Sequence, residues 1–444
     1  MIKFLTKALG SLSQRIAGDQ LTKNILKSSS VIFLGSSASS VLGIVSFVIL
    51  AKALGAEYLA FFALAQVYVL IINAIFNIQT WESLIKFASK AGDSANSNSI
   101  IKTNIILDFL SAIVAFAGAY LLLKPVSSLL NWEAELLDIT SLYIYVIPFT
   151  LTTLTIGIPR LYKRFALIAK VQFGMALLKL IFVFTLSQTE GDLIDYISVY
   201  MIAEILINLI LIISSFLLLK QKIAGGWFKS KFYLEKDQLR FLWWTNLRSI
   251  VRIPVRHLDL VIIYMVISVE TVGIYKVYKE IIEVINRLSD PVNQALYPEY
   301  SKLIGNNRIS NALYVTRKLM QILGAVSIAI TLIMLLSAEY AVGYFFGDEY
   351  LVLIWALYSL ILLTGLNLFL TPINSLFISA GFARYSFYIV LFTNIIYLAI
   401  LYYGGLMYGI VGVVLAFAVQ IILNKAFKIY FLAKYSSSWN DIIR

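Results

Sequence analysis

The chain has 444 residues, of which 60% are hydrophobic and only 14% charged, a balance that excludes a soluble globular protein. It contains no cysteine and a single histidine, His257, which excludes disulfides, thiolate metal sites, a cysteine nucleophile and a histidine metal cluster. The net charge of +12 invites a nucleic-acid reading, but the placement of the basic residues gives it another meaning: this is an all-α polytopic membrane protein.

Residues 1–28 are basic and mildly amphipathic, with Ile2, Leu5, Leu9, Leu12 and Ile16 leaning to one side. The segment lacks a continuous apolar core with a small-residue cleavage site, so it reads as a retained cytoplasmic interfacial helix and not a signal peptide. Apolar windows then predict twelve spans, at about 29–51, 58–80, 104–123, 140–158, 165–186, 196–219, 241–267, 271–297, 319–337, 351–379, 386–404 and 407–424.

Basic residues retained in the cytoplasm should fall in alternate loops. With the N-terminus inside, 26 of the 36 lie in inner segments, among them Lys86, Lys90, Arg160, Lys220, Lys302, Arg308, Arg384 and Lys428. Only Lys52 and Lys124 are outer, and the outer loops are acidic, carrying Glu133, Glu135, Asp138, Glu190, Asp192, Asp195, Glu339, Asp348 and Glu349. The alternation predicts both termini in the cytoplasm. Eight basic residues remain within spans: Lys170, Lys179, Arg248, Arg252, Arg256, Lys276, Lys279 and Arg287.

The two halves echo each other. "GAEYLAFFALAQVY", from Gly55, aligns with "SVETVGIYKVYKEI", from Ser268, at an offset of 213 residues, placing Glu57 on Glu270 and Phe62 on Tyr275. "RLYKRFALIAKV", from Arg160, aligns with "AGFARYSFYIVL", from Ala380, at an offset of 220 residues. Two near-equal offsets predict two six-helix lobes, 29–222 and 223–444, in the same orientation and enclosing a cavity between them.

Five stretches carry a family resemblance: "VLGIVSFVILAKALGAEYLAFFALAQ", "HLDLVIIYMVISVETVGIYKVYKEI", "ALYPEYSKL", "YFFGDEYL" and, near the end, "LFISAGFARYSFYIVLFTNIIYLAILYYGGLMYGIVGVVLAF". In this order they resemble the polysaccharide and O-antigen flippases of the multidrug, oligosaccharidyl-lipid and polysaccharide (MOP) exporter superfamily. The resemblance implies a V-shaped, MATE-like, two-lobed transporter in a bacterial plasma (inner) membrane. It would move a polyprenyl-diphosphate-linked oligosaccharide, such as an O-antigen or capsule repeat unit, from the inner to the outer leaflet by alternating access. Its partners would be that lipid-linked oligosaccharide, membrane lipids and other polysaccharide assembly proteins, with no nucleic acid. No cofactor is expected, although coupling to H+ or Na+ is open. Two alternatives stand beside this reading: an organic cation exporter of the same superfamily, which calls for an acidic lumen, and a membrane enzyme acting on lipid-linked glycans, which calls for a large external loop. The outer loops are short here and the intramembrane charges are mainly basic, so a flippase and no enzyme is expected.

Only "LDLVIIYMVI", Leu258 to Ile267, is free of basic residues between the inner Arg240 and the outer Glu270, and ten residues rise about 15 Å, half of a hydrocarbon core. Arg256 therefore falls near mid-membrane, with Arg252 and Arg248 nearer the cytoplasm. At about 100° per residue Arg248, Arg252, Arg256 and Asp259 share one narrow face, and Lys276, Lys279, Glu280, Glu283, Arg287 and Asp290 share an arc of about 100° on the next helix. Such stripes are tolerable only beside water, partners or a ligand. Gln66, Asn73, Asn77 and Thr80 form a milder polar face in the first half.

An arginine fork matches phosphate oxygens, so Arg248, Arg252, Arg256, Lys276, Lys279 and Arg287, with Lys179 from the other lobe, are the expected contacts of a diphosphate or acidic sugar. Asp259, Glu280, Glu283 and Glu204 are expected to tune these cations or bind a coupling ion. The competing readings are a snorkelling Arg248, ion pairs such as Arg256 with Asp259 or Lys276 with Glu280, and structural polar roles for Glu204 and Asp108. Pro254 should kink its helix, and Gly35, Ser39 and Gly43 read as a close-packing face.

Overall fold

The computed structural model describes residues 20–91, 95–189, 191–223, 226–306 and 309–435, with side chains from residue 38 onward except at 90–95, 288–295, 298 and 435. Of the expected N-terminal segment, residues 1–19 lie outside the described residues, and so do the surroundings of Gly35 and the side chain of Asp290. The described residues are helical almost throughout, without a strand. In chain order the helices are α1 (Gln20–Phe76), α2 (Thr80–Ala91), α3 (Ala95–Leu129), α4 (Ala134–Tyr143), α5 (Ile158–Leu161), α6 (Phe165–Gln188), α7 (Leu193–Ile223), α8 (Gly226–Lys229) and α9 (Lys236–Val251). They continue as α10 (Asp259–Val266), α11 (Val269–Gly305), α12 (Ile309–Phe345), α13 (Ile354–Phe369), α14 (Thr371–Phe377), α15 (Ala383–Tyr408) and α16 (Ile410–Tyr435).

Among the described residues seven helices are long and apolar enough to cross a membrane, or eight counting Ala134–Phe149 with Thr153–Leu161, which meet at 55°. The twelve expected windows all fall largely on helical backbone, and the lower count has local causes. The first two windows share α1. The seventh is divided between α9 and α10, α11 carries too many charges to stand as an apolar span, and α13 has only 16 residues.

Each break has a chemical origin. The expected outer loop at 52–57 contracts to one residue, Gly55, at φ 72° and ψ 176°, a region that glycine alone enters without strain. Pro254 begins a widened π turn, Pro254–Leu258, because its ring removes an N–H and crowds the preceding turn. Gly409, at φ 57°, separates α15 from α16 and lets them fold back on each other, with Gly404 against Gly412.

Contacts divide the chain into two compact units. The first is formed by 1–47, 76–117 and 145–243, and its interior gathers Leu84 and Ala88 of the amphipathic α2, Ile101 and Ile105 of α3, Leu154 and Ile158 of the bent pair, and Leu219 of α7. The second is formed by 48–75, 118–144 and 244–444, and one of its clusters joins Tyr300, Ala312, Leu376, Phe377 and Leu432. Within this second unit the two halves of the sequence repeat touch: Gly273 lies directly against the backbone of Ala56, leaving no room for a β-carbon. At Gly43, part of the expected close-packing face, the expectation is corrected: a β-carbon there would meet nothing within 4 Å among the described residues.

Candidate functional site

In the second unit α10 and α11 run side by side and bring the two charged stripes together. Asp259 is 1% exposed and sits at the hub. Lys279 Nζ donates to both of its oxygens, at 2.9 Å and 2.7 Å, and also to the Arg256 carbonyl at 2.9 Å. The Tyr275 hydroxyl bonds the same carboxylate, and the Leu260 amide donates to it at 2.9 Å. A buried carboxylate held by an ammonium and two neutral donors is well compensated, and removing any one partner exposes the cost of its burial.

This geometry revises the sequence expectation. The partner of Asp259 is Lys279 and not Arg256. The π turn between Pro254 and Leu258 interrupts the uniform 100° advance, so Asp259 turns inward while Arg248, Arg252 and Arg256 have exposed side chains. Arg256 forms no ion pair with a carboxylate among the described residues. Lys276, by contrast, bonds Glu280 at 2.7 Å across one turn, with both side chains partly exposed. Glu283 is exposed and accepts from Asn286 at 3.1 Å; Arg287 is exposed and near enough to Glu280 to favour its charge. His257 is partly buried among Arg256, Asp259, Lys276 and Lys279.

Two cations of this unit were assigned by the sequence to the inner end of the last span, and the structure buries them. Lys425 and Lys428 of α16 are 4% and 5% exposed. Lys428 donates to Asn374 Oδ1 at 2.9 Å and Lys425 reaches the Leu370 carbonyl at 3.4 Å. The sequence signal was present in "LNKAFKIY", where Asn424, Lys425 and Lys428 recur at helical spacing on a span otherwise apolar.

The first unit holds a different constellation. Asp108 of α3, 1% exposed, accepts from the Thr153 amide at 2.6 Å and from Thr152 Oγ1 at 3.4 Å. Thr80 Oγ1 lies 3.2 Å from Thr152 Oγ1 and accepts from Thr153 Oγ1 at 2.8 Å. Asn77, bonded by Ser111 Oγ at 3.0 Å, donates to the Thr150 carbonyl at 3.0 Å. Asp108 thus satisfies an amide freed where the span breaks at 150–152, the office of a helix cap supplied from a neighbouring helix. Asn77 and Thr80 lie beyond the end of α1 and serve this buried network, whereas Gln66 donates to the Tyr143 hydroxyl at 3.2 Å in the second unit. Lys179 is half-buried with its Nζ 4.3 Å from the centre of the Tyr200 ring, and Glu204 is half-buried on α7.

Residues 25–304 match the model of a family described as polysaccharide biosynthesis protein. No curated protein matches the chain. Among solved structures, an inward-facing multidrug resistance MATE family transporter of the MOP superfamily shares 13% identity at a TM-score of 0.73, covering 91% of this chain and 100% of that one. The lipid II flippase MurJ in an inward closed conformation shares 16% identity at a TM-score of 0.68, covering 93% and 89%. A MOP superfamily transporter from Pyrococcus furiosus, described as having a binding pocket of reverse polarity, shares 13% at 0.58, covering 95% and 96%. At these identities the likeness establishes a MATE-like fold.

Proposed function

This chain belongs to the polysaccharide biosynthesis protein family, with the fold of MOP superfamily transporters, and from that premise we propose that it flips a polyprenyl-diphosphate-linked oligosaccharide across a bacterial plasma membrane. The cargo would move from the inner to the outer leaflet by alternating access between the lobes 29–222 and 223–444, with both termini cytoplasmic. The observation that carries this reading is Arg256: its side chain is exposed, at a position the sequence puts near mid-membrane, and it pairs with no carboxylate among the described residues, while the neighbouring acid Asp259 is taken by Lys279. A charge so placed costs ~2.5–3.5 kcal/mol against lipid and is stabilised by an anion in a hydrated cavity.

Arg248, Arg252, Arg256 and Arg287 are the diphosphate contacts in this reading, with Lys276 and Lys179 as further cations. Lys279 acts through Asp259 as a strut that holds α10 against α11. Glu280 and Glu283 tune the local charge, and they and Glu204 are the candidates for H+ or Na+ coupling. The partners are the lipid-linked cargo, membrane lipids and other polysaccharide assembly proteins. The test is Arg256→Ala and Arg287→Ala in cells that depend on the chain for surface glycan. Loss of the glycan with normal abundance of the membrane protein is expected, and undiminished glycan in both variants overturns the reading.

A further inference from the structure

Lys425 and Lys428 pose a problem that the surface arginines do not. Each ammonium carries three N–H donors, yet each is buried with a single neutral acceptor, the Leu370 carbonyl at 3.4 Å or Asn374 Oδ1 at 2.9 Å. Neither forms an ion pair with a carboxylate among the described residues. They lie one turn apart on α16 and repel each other, and Arg252 adds its own repulsion to Lys428. Counted from the break at Gly409, Lys425 is about 24 Å along the helix, within hydrocarbon depth.

The surroundings fix the cations in place. Asn394 Nδ2 donates to the Val251 carbonyl at 2.6 Å, which pins the end of α9, and with it Arg252, against α15. Asn424, adjacent to Lys425, is 3.5 Å from Thr393 Oγ1. Asn374 sits on α14, just after the helix break at Leu370 that presents the carbonyl to Lys425. Buried cations that lack counter-charges are stabilised by deprotonation or by an anion. A permanently charged arginine whose repulsion reaches Lys428 and ammonium donors in excess of acceptors favour the anion, and a phosphate offers several acceptor oxygens at once.

We propose that Lys425 and Lys428, with Arg252, form a phosphate-binding site inside the second unit, one that takes the diphosphate of the lipid-linked cargo before it reaches Arg256. The identity of the cargo rests on the reading above; the affinity for phosphate oxygens does not. The site extends the cationic series from α9 onto the last helix.

The test uses the full chain in nanodiscs of zwitterionic lipid, titrated with inorganic pyrophosphate and with farnesyl diphosphate. Both probes should bind saturably and raise the melting midpoint. The double variant Lys425→Met/Lys428→Met should lose at least about tenfold in affinity for each, the scale of a lost charge-assisted hydrogen bond or more. Tighter binding of farnesyl diphosphate than of pyrophosphate assigns the site to a lipid-borne headgroup, and equal binding assigns it to phosphate alone. Methionine fills the same space without a charge, so the double variant should also melt higher than the parent chain in the absence of anion. If instead it melts lower and binds both probes as the parent does, the lysines are structural cross-links and the proposal falls. It falls equally if neither probe binds the parent chain. Normal glycan export by both Arg256→Ala and Arg287→Ala with pyrophosphate binding intact would remove the proposed cargo and leave this site standing.

Discussion

Lys279 reaches from α11 to grip Asp259 on α10, its Nζ 2.7 Å from one carboxylate oxygen and 2.9 Å from the other. The acid is almost fully buried and the lysine side chain is 24% exposed, so the interaction is unequal: the buried partner depends on the exposed one. Lys279→Ala should lower stability by about 3 kcal/mol, because it strands the buried carboxylate, and Asp259→Ala by less, because water still reaches the lysine. The double variant Asp259→Leu/Lys279→Met should recover most of the loss. Thermal unfolding of the purified protein in detergent measures all three, and additive losses in the double variant would show that the pair does not act as a unit.

Gly273→Ala should be among the most damaging single substitutions in the second unit. An alanine is ordinarily better than glycine inside a helix by about 1 kcal/mol, but here its β-carbon would overlap the Ala56 carbonyl. Gly43→Ala, with nothing within 4 Å, should be neutral or mildly stabilising. Parallel membrane abundance and melting measurements should separate the two clearly.

Asp108 distinguishes capping from charge. Asp108→Asn keeps an acceptor for the Thr153 amide and should cost less than about 1 kcal/mol, whereas Asp108→Ala leaves that buried N–H unpaired and should cost about 2 kcal/mol. Equal melting midpoints for the two variants would show that the ionised form itself is what the network requires.

The Lys276–Glu280 pair spans one helical turn and both side chains are partly exposed, so its worth to the fold is a few tenths of a kcal/mol. Glu280→Gln should leave the melting midpoint unchanged while releasing Lys276 and removing a negative charge near Arg287. Binding of inorganic pyrophosphate should tighten by about threefold to tenfold, in keeping with one lost like-charge repulsion of the ligand. Weakened binding would mean that Glu280 positions the cations instead of masking them.

Local chemistry was legible in the sequence, and long-range partnership was not. The apolar windows and the disruption at Pro254 follow from residue type within a few positions, whereas the loop expected at 52–57 shrinks to the single kink at Gly55. The Lys276–Glu280 pair was equally visible because its members are four residues apart. Uniform helical spacing sets Asp259 beside Arg256, but the π turn after Pro254 changes the facing of every residue beyond it and delivers the acid to Lys279. The Asp108 network joins Thr80 to Thr153 across 73 positions, so its members looked like isolated polar residues on separate spans. Asn424, Lys425 and Lys428 share one helix face in the sequence, but that spacing equally suits the basic inner end of a span, and the packing of α14 and α15 around α16 decides for the interior.

The meeting of Ala56 and Gly273 has a mechanical meaning. Where two backbones abut with no side chain between them, there are no rotamers to rearrange and no methylenes to compress, so the junction resists sliding and stretching while still permitting a turn. The stiff point stands where the two similar stretches of the chain meet, so Ala56 and Gly273 fix the spacing of the helices that leave it.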